Sequence, residues 1–179
     1  MTLSEQIIAY LQQNNISFTP GDYKTGQPQG QADQILVWNA AKLGAQPTAT
    51  QLTNAENVAL MQQAQTSQIQ LLSSAYQNAI ATPVSYTSKG GVTKTYQADP
   101  NSVSNLQASL AALTPAGATP TGFYWVASDN TQVPFTLADL QGLAAAIMNQ
   151  GWTAFQHLQT QKNAVMAATT VSAVQSIVW

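Results

Sequence analysis

The stretch "FYWVASDNTQVPFTLADLQGL", residues 123 to 143, decides how the chain is read. Phe123, Trp125 and Ala127 alternate onto one side of a strand, and Asp129 and Asn130 supply a turn. Val133 and Phe135 return along a second strand, with Pro134 tolerated at a sheet edge. Thr136 and Asp139, three apart, have the spacing of a capping box, in which each side chain bonds the other residue's orphan backbone N–H. The helix opened there carries Leu140, Ala144, Ile147, Gly151, Phe155 and Leu158 on one face. A hairpin laid as an aromatic floor under a long helix is the predicted unit.

The same signals recur upstream. Thr2 and Glu5 cap a helix over residues 2–14, and Thr48 with Gln51 opens a long one that meets no Gly or Pro until Pro83. On that helix Leu60, Ala64, Ile69, Leu72, Tyr76 and Ile80 keep a roughly helical spacing among Gln, Asn and Ser, which reads as an amphipathic helix packed on its own domain or as a seam shared with another chain. "VSYTSKGGVTKTYQ" alternates Val84 with Tyr86 and Val92 with Tyr96 around Lys89, Gly90 and Gly91, a second hairpin. Asp99 before Pro100 starts another helix, since proline at the first position forfeits no hydrogen bond. "TPGDYKTGQPQGQAD" reads as an extended connector, and "QILVWN" as a short strand or the start of a buried helix. The fold class is therefore α+β, helix-rich, with two β-hairpins and two long amphipathic helices. The expected division is an N-terminal lobe over 1–113, a linker over 114–122 and a C-terminal domain over 123–179.

Composition narrows the chemistry. Charged residues are 7% of the 179 against a usual ~25%, while 45% are apolar, so Gln, Asn, Ser and Thr have taken the place of charge. The five basic residues are all lysine, which removes the bidentate guanidinium grip on phosphate or guanine; with a net charge of -2, no nucleic-acid partner is expected. No cysteine occurs. "MTLSEQIIAYLQQNN" carries Glu5 and no basic residue ahead of its apolar positions, unlike a secretory signal, and no apolar run reaches the ~20 residues of a membrane span. A soluble chain with no membrane partner is expected.

Catalytic raw material is scarce. His157 is the only histidine, and the acidic residues Glu5, Asp22, Asp33, Glu56, Asp99, Asp129 and Asp139 are dispersed. There is no G-x-S-x-G elbow, and "KGGVTK" lacks the spacing of a phosphate loop. Lys89 and Lys94 read as solvated hairpin charges. No catalytic residue, cofactor or metal ligand is assigned, and the chain is read as a non-enzyme. A charge-poor surface suits interfaces with other chains. The candidate interface residues are Trp179 and Trp125 in the C-terminal part and Leu60, Leu72 and Tyr76 on the long helix, whose 50–82 face is expected to drive self-association. Trp179 is expected to be docked. Tyr124, Trp125 and Trp152 are read as core.

From Phe123 onward the pattern is an aromatic strand, a W-x-x-x-D-N turn, a return ending in Phe and Thr, a helix bearing His and then Lys, and a closing Trp. Its carriers are Trp125, Asp129, Asn130, Phe135, Thr136, His157, Lys162 and Trp179. Over roughly its C-terminal third the chain resembles an uncharacterised domain family of tailed phages and prophages, numbered 4376, found beside tail-fibre genes and often labelled tail-fibre assembly. It departs from the family in having Gln159, Thr160 and Gln161 where members commonly carry Arg near the His. "QILVWNAAKLGAQPTATQL" is similar to a Trp-containing segment that opens a long helix in other phage tail proteins. The resemblance implies a structural component of the virion at the baseplate or fibre root, in several copies beside other tail or fibre proteins. It would reside in the phage tail and pass through the host cytoplasm during assembly. The alternatives are a tail-fibre assembly chaperone absent from the mature particle, and a receptor or carbohydrate binding module.

Overall fold

A computed structural model describes all residues, 1–179. In chain order the elements are α1 (Leu3–Gln13), β1 (Tyr23–Gly26), β2 (Gln34–Trp38), α2 (Ala40–Leu43), α3 (Ala49–Ala81), β3 (Val84–Thr87), β4 (Thr93–Tyr96), α4 (Pro100–Leu113), β5 (Tyr124–Val126), β6 (Gln132–Pro134), α5 (Leu137–Ala167) and α6 (Val171–Gln175). The fold is helix-rich α+β, with three antiparallel two-stranded sheets. Two compact units result, one of Met1–Ser67 with Thr169–Gln175, the other of Gln68–Ala168 with Ser176–Trp179.

The helix starts follow the local chemistry. Thr2 and Glu5 form the capping box of α1, and Asp99 accepts from the N–H groups of Asn101 and Ser102 ahead of Pro100 in α4. At the head of α3 the Thr48 N–H donates to Gln51 Oε1 at 2.8 Å, and the Gln51 N–H returns to the Thr48 hydroxyl at 3.3 Å.

In the first unit, Ile7 and Leu11 of α1 pack with Leu43 and Leu52, and Phe18, Tyr23, Ile35 and Trp38 close over them. Each fully buried aliphatic side chain of this kind contributes about 1.5–3 kcal/mol. The sheet here corrects the sequence reading: residues 23–26 are a strand and no connector, pairing Tyr23 with Trp38 and Gly26 with Gln34 across a bulge at Lys24 and Thr25. Asp22 fixes the entry to this hairpin. It accepts from the Lys42 ammonium, from the Thr19 hydroxyl and N–H, and from the Asn39 amide, which together hold its carboxyl well below the ordinary aspartate range.

The second unit is built on two hairpins of one design. Trp125 pairs with Val133 and Tyr124 with Pro134 in β5–β6, and Val84 with Tyr96 in β3–β4. Each loop has three residues and closes through matching bonds: Ala127 N–H to the Thr131 carbonyl, and Ser88 N–H to the Val92 carbonyl. The last loop residue is left-handed in both, Gly91 at φ 79° and Asn130 at φ 63°, as this loop length requires. The inner faces meet in one core of Tyr96, Leu106, Ala127, Val133, Phe135, Leu140 and Leu143. The residues 114–122, expected to separate two domains, lie inside this unit, and the Thr119 hydroxyl donates to the Phe135 carbonyl at 3.2 Å.

At the centre of the unit is Asp139, 1% exposed. Its Oδ2 accepts from the Thr136 N–H at 2.8 Å and hydroxyl at 2.6 Å, the capping box of α5. Its Oδ1 accepts from the Lys89 N–H at 2.6 Å and the Tyr86 hydroxyl at 3.4 Å. Burial pushes this carboxyl up, but the bonds from Thr136, Lys89 and Tyr86 outweigh it and leave the group below its ordinary value. Tyr86 reaches it by crossing α5 at Gly142, where a Cβ would run into the tyrosine ring.

Asp139→Asn keeps the shape and exchanges one acceptor oxygen for a donor, stranding a buried N–H or hydroxyl at a cost of about 1–3 kcal/mol. Because the native carboxyl is depressed, its contribution is full above the unfolded value of about 3.9 and is lost as pH falls through the native value. Urea unfolding at a series of pH values should show wild type above the variant at neutrality, with the gap closing below about pH 4.

Candidate functional site

Three surface features of the second unit concentrate side chains able to bind. The first is an aromatic cluster. Trp179 lies edge-on to His157 with ring centroids 4.7 Å apart and against Tyr76 at 6.4 Å. Beside them is an open groove of about 610 Å³ bordered by Ala79, Thr82, Gln150, Thr153 and His157. Amides hold its walls in place: Gln150 donates to the Ala79 and Thr82 carbonyls at the end of α3, at 3.1 and 2.8 Å, and Gln68 donates to the Ile177 carbonyl. His157 Nε2 faces the Gln161 amide at 3.4 Å. A ring edge and an amide orient the imidazole but offer it no carboxylate, so the arrangement contains no nucleophile, base and orienting group in sequence.

The second feature is a cleft of about 310 Å³ lined by Gln97, Ser102, Asn105, Tyr124, Trp125 and Val126. Strand alternation turns Tyr124 outward while Trp125 packs inward against Phe123. The β5–β6 turn is pinned to β4 by Lys94, whose ammonium donates to Asp129 at 2.7 Å, and by the Ser128 N–H donating to the Thr95 carbonyl at 2.9 Å. Lys94 and the bonds from Thr131 hold the Asp129 carboxyl far below its usual range. The third feature is an apolar groove of about 460 Å³ between α3, α4 and α5, walled by Tyr76, Ile80, Ala98, Pro100, Val103 and Ile147.

The expected interface residues fall unevenly on this surface. Trp179 is 39% exposed and joins Tyr76 in one cluster, while Leu60 is exposed in the first unit. Trp125 is half-buried with one edge in the cleft. Leu72 is withdrawn: it is 1% exposed, because the α3 stripe that includes it faces the interior. The core reading of Tyr124 and Trp152 is also corrected, since both are exposed, and Phe155 lies beside the buried stripe of α5 rather than within it. Lys94 is an ion-pair partner and not simply a solvated charge. Sequence reasoning missed the Lys89 N–H to Asp139 bond, for which residue spacing carries no signal. No three His, Asp or Glu side chains gather as metal ligands, and no helix is long and apolar enough to cross a membrane.

The residues that carried the family resemblance have structural roles, with Asn130 in the left-handed turn position, Asp129 in the ion pair, Phe135 in the core, Thr136 in the cap, and His157 and Trp179 in one ring contact. Such a helix-backed pair of hairpins defines a class by its framework. The chain belongs to the family described as Domain of unknown function (DUF4376), which matches residues 63–178. The match is about two thirds of the chain and not its C-terminal third, because the framework includes the second half of α3, the β3–β4 hairpin and α4 as well. No curated protein and no solved structure matches.

Trp179→Ala removes a ring that is only partly buried, so the cost should be about 2 kcal/mol, below the roughly 3–5 kcal/mol of a core tryptophan. Thermal unfolding of the variant beside wild type checks this.

Proposed function

We propose that the chain is a non-enzymatic structural component of a tailed-phage virion, held at the tail baseplate or fibre root by protein-protein interfaces. The observation that carries this reading is the outer surface: with 7% charged residues, it leaves Met148, Trp152, Phe155, Met166 and Val178 exposed. Exposed apolar area of this kind marks surface that other chains cover. The tail setting rests on the resemblance to proteins encoded beside tail fibres. Purified virions should contain the chain as a stoichiometric band at 19.0 kDa. If the band is absent from particles yet present in infected cells bound to fibre protein, the chain is an assembly chaperone.

The Tyr124 cleft favours a second reading, a receptor or carbohydrate binding module. An exposed tyrosine face beside Gln97, Asn105 and Ser102 matches a neutral ligand with apolar faces and hydroxyl edges. On this reading Tyr124→Ala abolishes retention on immobilised host polysaccharide; equal retention of variant and wild type removes it.

A further inference from the structure

Helix α5 carries two apolar stripes. Ile147, Gly151, Ala154, Leu158 and Val165 form the one turned inward. The second is displaced from it around the helix and faces outward: Met148 is 67% exposed, Trp152 57%, Phe155 40% and Met166 62%. With Gln159 and Lys162 between them, these residues sit at 148, 152, 155, 159, 162 and 166, a spacing of four and three in strict alternation. That is the 3.5-residue repeat of a seam that packs against another helix. Trp152 and Phe155 are already stacked, centroids 5.8 Å apart with 23° between planes, so the seam presents a formed aromatic surface.

The identity of the second helix follows from where the one cation falls. In a parallel pair of identical helices Lys162 would face Lys162 and Gln159 would face Gln159. Reversed about residue 157, the seam becomes self-complementary. Met148 meets the partner's Met166, Phe155 meets the partner's Gln159, and Trp152 meets the partner's Lys162. An ammonium over an indole face is a favourable cation–π contact, strengthened when the pair is shielded from water. Each contact occurs twice, as a two-fold interface requires. We infer that the outer stripe of α5 is a homodimer seam, an antiparallel helix pair joining two copies of this chain through Met148, Trp152, Phe155, Gln159, Lys162 and Met166.

The seam covers Met148, Trp152, Phe155 and Met166, side chains that also support the virion reading, but it is tested on the purified chain with no phage component present. A seam of six residues a side, about 27 Å long, is smaller than the roughly 20–30 residues a side of a standard interface, and a dissociation constant on the order of tens of micromolar is expected. Sedimentation equilibrium should show a monomer–dimer transition in that range. Lys162→Glu and Trp152→Ala should each weaken it at least about tenfold, and Lys162→Arg should preserve it, with circular dichroism melts near wild type because these side chains lie outside the core. The chain has no cysteine, which makes orientation testable by single introduced thiols. Met148→Cys mixed with Met166→Cys should give a disulfide-linked heterodimer, while neither variant alone links, because like positions are then about 27 Å apart. Self-linking by Met148→Cys, a dimer insensitive to Lys162→Glu, or a monomer up to roughly 1 mM would overturn the proposal.

Discussion

The second unit depends on one carboxylate. Asp139 is the third residue of a helix and would ordinarily answer only to its capping partner Thr136; here its other oxygen is turned to the β3–β4 loop at the Lys89 N–H and to the Tyr86 hydroxyl. The first turn of α5, the loop of one hairpin and the ring that crosses the helix at Gly142 are thereby fixed to one another. A buried charge is costly unless its hydrogen bonds are supplied. Four donors supply them, which gives a group otherwise unsuited to the interior a geometric role that an apolar side chain could not fill.

Sequence spacing revealed the parts whose physics is local. The starts of α1, α3, α4 and α5 were readable because a cap and its partner are two or three residues apart, and the two matched hairpins because Gly91 and Asn130 occupy positions where few other residues are comfortable. The β1–β2 hairpin was hidden. Its first strand, Tyr-Lys-Thr-Gly, contains a bulge, and its loop is too long to carry a two-residue turn signature, so the sequence resembled a connector. The segment 114–122 shows the opposite error, since its Gly and Pro mark a change of direction within one unit.

The candidate site was less legible, for a reason visible on α5. The buried stripe of Ile147, Gly151, Ala154, Leu158 and Val165 and the outer stripe one residue further along share the same spacing of four and three, and a reading that allows one apolar face merges them. Phe155 is drawn into the core in this way. On α3 the spacing gathers Leu72 with Tyr76 and Ile80 in one stripe and leaves Leu71 out of it, but spacing alone does not tell a stripe packed within its own unit from a seam for another chain, and Leu72 is buried. Which apolar side chains face water is decided by contacts distant in sequence, and these contacts also fix which of them remain to meet a partner.

Helix ends and extended segments in this chain are repeatedly tied by neutral amides: Gln150 to the carbonyls that finish α3, Gln68 to the Ile177 carbonyl, Gln13 to the Ala55 carbonyl. Lysine or arginine can also serve the last carbonyls of a helix, and the attraction of a charge so placed weakens as mobile ions accumulate around it. An amide donates the same hydrogen bond without a net charge to be screened. These amide fastenings are therefore largely indifferent to ionic strength and should persist between dilute and concentrated salt, where the Lys42–Asp22 and Lys94–Asp129 pairs weaken.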